Sequence, residues 1–335
     1  MTFKRPAGTS RGVYTTRKLW EVRIRKEDEP SVIGIGECAP LPDLSCDYGV
    51  DYEITLSKAC LDLEQKGYVD TESLRHYPSI LFGLETAMRH YEQGGWRHYD
   101  TPFSQGQAGI PINGLIWMGD YKYMLEQVEE KMKEGFRCVK IGAIDFDREL
   151  SLLKHIRAHF SAKEIELRVD ANGAFTPSEA MDKLKRLAEM DLHSIEQPIR
   201  AGQLEEMARL AAESPLPIAL DEELIGCNAP DEKQRLLETI HPQYIILKPS
   251  LHGGISGCTE WIHLAETILG STPEQPKWWV TSALESQIGL NAIAQWCATL
   301  GNPLPQGLGT GEIFKDDKHK LIQRKGDTIW FTNDL

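Results

Sequence analysis

Lys140, Asp170, Glu196, Asp221 and Lys248 follow one another at intervals of 25 to 30 residues, and each closes a short β-branched or apolar run. One strand, one helix and two short loops take about that much chain, because parallel strands need a long, usually helical crossover. The spacing predicts one chemical group per βα unit, delivered to the C-terminal ends of parallel strands. Two like charges about 4 Å apart repel by roughly 4 kcal/mol at an effective dielectric near 20, so three gathered carboxylates require a cation. An oxygen-only set favours a hard ion, and three ligands leave positions for water and substrate, which suits Mg²⁺. Taken singly, each acid is an ordinary helix cap or surface charge; in register the three read as a metal site. The flanking lysines can serve as bases if their pKa falls from about 10.4 towards about 7 or 8. Taken singly, each is a surface lysine whose stem lies on apolar neighbours.

The elements that must position these groups are legible from residue 108 onward. Strand candidates lie at 110–116, 138–141, 166–169, 194–196, 218–221, 244–248 and 278–282, with helical stretches between them. The stretch 120–134 is amphipathic and ends at Gly135, while Thr176, Pro177 and Glu179 supply an N-cap, a first-turn proline and a capping-box acid. This alternation predicts an α/β fold, a modified (β/α)7-8 TIM-type barrel over 106–309. A doubly wound sheet shares the alternation, but Gly34, Gly36 and the run Gly253, Gly254, Gly257 do not form a Gly-x-Gly-x-x-Gly turn after a first strand. Residues 1–105 break the rhythm. Trp20, Val22 and Ile24 alternate with charged residues, 31–37 follows as a second strand, and helices are predicted over 50–66 and 77–93. This is an α+β capping domain, to which 310–335 is expected to return. The stretch 38–49, with Pro40, Pro42, Asp43 and Ser45, reads equally as a lid or as a structural surface loop.

Composition narrows the function. The chain has 335 residues, 41% of them hydrophobic and 26% charged, with a net charge of −13. That charge argues against a nucleic-acid partner, whose phosphates are met by a basic surface. The basic cluster Lys4, Arg5, Arg11, Arg17 and Lys18 reads either as a solvated edge or as a means of steering an anionic substrate. Seven scattered cysteines without a Cys-x-x-Cys pair suggest reduced thiols and a cytoplasmic protein. No run of 18 apolar residues is present, so no membrane span is expected.

The ordered set Val139-Lys140-Ile141-Gly142, Arg168-Val169-Asp170-Ala171-Asn172-Gly173, Ile195-Glu196-Gln197-Pro198, Ala219-Leu220-Asp221-Glu222 and Leu247-Lys248-Pro249 resembles the strand-end motifs of the enolase superfamily. Within it the motifs look most like those of the o-succinylbenzoate synthases, over nearly the whole chain and including Ser282-Ala283-Leu284-Glu285-Ser286. The resemblance implies that Asp170, Glu196 and Asp221 ligate Mg²⁺, with Mn²⁺ as a substitute, and that Asn172, Gln197 and Glu222 orient ligands and waters. It implies a small-molecule carboxylate substrate, 2-succinyl-6-hydroxy-2,4-cyclohexadiene-1-carboxylate, dehydrated syn through an ene-diolate to o-succinylbenzoate in menaquinone biosynthesis. Lys140 would abstract the ring proton, and Lys248 would stabilise the intermediate from the other face. Ser282 and Ser286 near the seventh strand, and Arg11 in the cap, are the candidate substrate contacts.

One position departs from the pattern: many relatives carry Lys-x-Lys on the second strand, where this chain has Cys138-Val139-Lys140. The Asp-x-Asp motif of related dipeptide epimerases is absent from 301–312. An N-acylamino acid racemase or another isomerase of the superfamily is the alternative, since a lysine on each face can move a proton either way. A Schiff-base aldolase would use a lysine as nucleophile and leave the three acids without a task.

Overall fold

Two antiparallel strand pairs open the chain. In the computed structural model, which describes residues 1–9, 12–117, 119–142 and 146–332, the first pair is β1 (Thr2–Thr9) with β2 (Gly12–Thr16), a hairpin the sequence pattern did not flag. The alternation at Trp20, Val22 and Ile24 then builds β3 (Trp20–Ile24), paired with β4 (Gly34–Cys38) so that Trp20 faces Cys38. Helix α1 (Tyr52–Lys66) ends where Gly67 takes φ 73°, and α2 (Pro78–Gln93) starts on a proline whose missing N–H is unneeded in a first turn. Helix α2 lies directly on β4. A Cβ on Gly36 would overlap the Gly83 carbonyl oxygen and the Ala87 amide, both backbone atoms that cannot step aside. Gly36→Ala is therefore expected to cost about 3 kcal/mol, the upper end for overpacking. A urea melt checks this, and an unchanged midpoint would contradict the packing.

Behind this cap the βα rhythm appears as β5 (Ile110–Pro111), β6 (Gly114–Ile116), α3 (Tyr121–Lys133), β7 (Cys138–Gly142), α4 (Phe146–His159), β8 (Glu166–Asp170), α5 (Pro177–Ala188), β9 (Ser194–Glu196), α6 (Leu204–Glu213), β10 (Ile218–Leu220), α7 (Pro230–Ile240), β11 (Tyr244–Leu247), α8 (Gly254–Ile268), β12 (Trp278–Val280) and α9 (Gln287–Thr299). Strands β6 to β12 form one parallel sheet in sequence order, seven strands wide. No eighth regular strand closes it among the described residues. The 306–307 segment bridges the gap instead, Gly307 beside Thr281 and Gln306 beside Ile112. The expected single strand over 110–116 is divided. Its first half, β5, pairs outside the barrel with β14 (Thr328–Phe331), which forms a hairpin with β13 (Ile322–Lys325). Further upstream the C-terminal segment also meets β1, through Lys4 N–H to the Ile313 carbonyl at 2.7 Å and Lys315 N–H to the Thr2 carbonyl at 2.9 Å.

Strand alternation sorts the side chains. Val139, Ile141, Leu167 and Val169 are fully buried and share one core cluster with Leu153, Leu184 and Leu210 of the outer helices. Each such burial contributes about 1.5 to 3 kcal/mol. The opposite faces point inward, where Ala219, Ile246 and Trp279 fill the barrel and the charged ladder sits above them. Two carboxylates of the cap reach the N-termini of barrel helices. Glu85 accepts from Ile255 N–H (2.7 Å) and Ser256 N–H (3.1 Å) at α8, and Glu37 accepts from Ser286 N–H and Gly289 N–H, both at 3.0 Å, at α9. No helix among the described residues is long and apolar enough to cross a membrane.

Candidate active site

Asp170 and Glu196 end neighbouring strands and are register partners, while Asp221 and Lys248 directly follow β10 and β11. Lys140 is placed differently from the expectation that each group ends its strand. It is the third of five residues in β7, opposite Arg168, and Asp170 faces Gly142 two residues further on. Its side chain thus rises from one layer below the acids. The Lys140 Nζ lies 2.9 Å from Asp170 Oδ2 and 2.5 Å from Glu196 Oε2, and Lys248 Nζ bonds Asp221 Oδ2. Lys140, Lys248, Asp170 and Asp221 line a cavity of about 490 Å³; Glu196 stands behind them with its carboxylate almost fully buried.

The two ammonium groups set the electrostatics. Burial acts to lower the Lys140 pKa, but Asp170 and Glu196 outweigh it and hold the group above the ordinary lysine value; Asp221 and Glu196 do the same for Lys248. This is the reverse of the lowering that a lysine base needs, and it follows from placing cations against unneutralised carboxylates. Among the described residues, no three His, Cys, Asp or Glu groups converge closely enough to hold a metal ion as the side chains stand. The donor set nevertheless fits one. Glu196 Oε1 and Asp221 Oδ1 are buried with no hydrogen-bond partner among the described residues, and unpartnered buried carboxylate oxygens are costly unless a cation takes them. Asp170, Glu196 and Asp221 are therefore the residues that could hold a hard divalent ion.

The residues around the acids divide by what they touch. Asn172 takes φ 48° and donates its N–H to Asp170 Oδ1 at 2.9 Å, a local turn that aims the carboxylate. Gln197, at φ 40°, accepts from the N–H groups of Asp221 (3.3 Å) and Glu223 (3.2 Å) and donates to Glu223 Oε2 at 3.1 Å. It shapes the turn after β10 without reaching the cavity, whereas Glu222 lines the cavity directly. Ser282 also lines it, its hydroxyl 2.5 Å from that of Thr310. Ser286 does not; its hydroxyl donates to Glu37. Arg11 lies outside the described residues. The 38–49 stretch forms cavity wall through Leu41 and Leu44 and is tied down, with Tyr14 donating to the Pro42 carbonyl at 2.6 Å and Leu41 N–H bonded to Ser45 Oγ at 2.8 Å.

Cys138 is buried in the layer under Lys140 and donates to Glu166 Oε1 at 3.3 Å. Arg168, level with Lys140 in the register, reaches down to this layer, bonded to Glu166 Oε1 at 2.7 Å and to the Pro305 carbonyl at 2.9 Å, over the Trp279 ring. Sequence reasoning missed Thr310 and His252, neither of which stands in a periodic run. His252 accepts from Lys248 N–H at 3.0 Å and sits 3.9 Å from Asp221; burial pushes its imidazole down to about 3, so it stays neutral.

Comparison with known proteins adds four findings. A family model described as "Enolase C-terminal domain-like" matches residues 123–323. The o-succinylbenzoate synthase of Desulfotalea psychrophila is 44% identical, over 95% of this chain and 93% of that protein. A crystal structure described as MenC from the same organism superposes with a TM-score of 0.81 at 38% identity, covering 98% and 96% of the two chains. The o-succinylbenzoate synthase of Thermosynechococcus elongatus BP-1, solved with Mg in its active site, has the same fold, with a TM-score of 0.72 at 24% identity over 91% and 89%.

Proposed function

The chain belongs to the enolase superfamily, and we propose that it catalyses the syn dehydration of 2-succinyl-6-hydroxy-2,4-cyclohexadiene-1-carboxylate to o-succinylbenzoate, a step of menaquinone biosynthesis. The observation that carries this reading is the cavity lined by two lysines and two of three clustered acids, in a chain so similar to a synthase of that name. Lys140 takes the proton from the ring carbon that bears the carboxylate. Its conjugate acid then protonates the departing 6-hydroxyl, so that one group on one face serves both steps and water leaves as the ring becomes aromatic. Lys248, opposite, keeps its proton and offsets the negative charge of the ene-diolate, with its cation against the ring. Asp170, Glu196 and Asp221 would hold a divalent cation, Mg²⁺ by the hardness of the oxygen set. When bound, that ion would draw charge from the carboxylates that now hold both lysines protonated and would stabilise the negative charge forming beside the substrate carboxylate. Asn172 fixes the Asp170 carboxylate, and Glu222 and Ser282 face the substrate.

The test is direct turnover. Purified protein with Mg²⁺ and the cyclohexadiene substrate should bleach the diene absorbance and release o-succinylbenzoate. No bleaching would remove this reading. The placement of a lysine on each side of the cavity also favours a second reading, N-acylamino acid racemisation. Loss of optical rotation from an N-succinylamino acid, without diene turnover, would establish that reading in place of the first.

A further inference from the structure

Arg17 stands in the basic N-terminal cluster, yet it is not on the surface. It follows β2, is 3% exposed, and donates one guanidinium nitrogen to the Ala283 carbonyl and the other to the Ala39 carbonyl. These two carbonyls belong to different walls of the cavity. Ala39 is the second residue of the 38–49 stretch, which contributes Leu41 and Leu44; Ala283 lies in the turn after β12 and lines the cavity beside Leu284. Leu41, Ala283 and Leu251 meet in one apolar cluster against Tyr14, and Arg17 is the polar pin at its edge. The turn it holds is conformationally demanding, since Leu284 takes φ 63°, a region that costs a non-glycine residue of order 1 to 3 kcal/mol unless the surroundings impose it. They do so here. Glu285 accepts from Ala283 N–H at 2.7 Å and from Ser250 Oγ at 2.5 Å, and the charges of Glu285 and Glu37 face the guanidinium.

A buried charge is an expensive way to join two loops, because breaking or mis-setting it leaves unpaired groups in a low-dielectric interior. What a planar guanidinium supplies that an apolar contact does not is a fixed separation between two acceptors. We infer that Arg17 is a positioning residue for substrate binding: by holding the Ala39 and Ala283 carbonyls it sets the spacing of two apolar walls of the cavity. The inference rests on the cavity being the substrate site. It assigns Arg17 no contact with the reacting atoms, and it links docking of the cap to the shape of the site.

Arg17→Lys keeps the charge but cannot hold two acceptors in one plane, and Arg17→Met removes both functions. The first readout is amide hydrogen exchange without substrate. Segments 38–49 and 281–286 should exchange faster together, by about tenfold, while β7 to β9 stay unchanged. The second is kinetic. KM for the diene should rise about tenfold in Arg17→Lys with kcat within about twofold, the pattern of lost uniform binding. Tyr14→Phe, which removes the tie to the Pro42 carbonyl without stranding a charge, should raise KM in the same direction and covers the case in which neither Arg17 variant folds. Unchanged exchange in both segments, a KM equal to wild type, or a fall in kcat alone would each overturn the inference. If the wild type does not turn over the diene but the paired exchange change appears, the clamp stands and the proposed reaction fails. Wild-type turnover with an unaltered KM in the variants has the opposite meaning.

Discussion

Replacing Lys140 by alanine will leave a folded protein whose turnover of the diene is slower by at least about a thousandfold, within the span that a positioned general acid–base group contributes. The size follows from one group doing two jobs, since the residue that takes the ring proton also returns one to the leaving hydroxyl. The neighbours cannot substitute. Lys248 is engaged with Asp221 on the other side, and His252, held neutral by burial, accepts a backbone N–H through Nδ1. The metal-free variant will also be less stable, because Asp170 and Glu196 lose the ammonium that pairs them; stranding a buried charge costs about 3 to 5 kcal/mol. Thermal melts with and without Mg²⁺ separate the two effects. Added Mg²⁺ should narrow the stability gap and leave the rate defect untouched. Full activity in Lys140→Ala would take the base role away from this residue.

The second large effect is metal dependence. Chelation with EDTA should suppress turnover by upward of about a hundredfold, with recovery on excess Mg²⁺, because a Lewis acid beside the developing charge supplies several kcal/mol. Glu196→Gln should not recover at the same Mg²⁺ concentration. Among the described residues that side chain presents Oε1 with no partner and Oε2 to Lys140, so the amide keeps the shape and removes the charge that a hard ion needs. Calorimetric titration of Mg²⁺ into both proteins gives a readout independent of rate. Turnover indifferent to EDTA, with borohydride trapping of substrate on either lysine, would point to Schiff-base chemistry instead.

Much of the site was legible because a parallel strand carries its own geometry. Alternation decides which residues face inward, and the 25 to 30 residue interval returns the chain to the same end each time. Asp170, Glu196, Asp221, Lys140 and Lys248 could be named together for that reason. Expectations that depended on distant segments fared unevenly. The 38–49 stretch stood open between lid and structural loop, and its Leu41 and Leu44 became cavity wall. Ser286 looked like an anion donor by its turn and is instead bonded to Glu37 across the cap boundary. The run 110–116 read as one strand, and its two halves joined different sheets.

The sequence by itself determined the chemistry on offer, namely three inward carboxylates between two lysines on successive strands of a parallel α/β barrel, since period and spacing are local properties of the chain. Only the tertiary structure decided how those charges pair, with Lys140 set a layer below the acids and bonded to two of them. Only it brought a seemingly solvated Arg17 between two carbonyls from walls far apart in the chain. The physical reason is the same in each case: strand register and cap docking choose among contacts that the linear pattern leaves equally available.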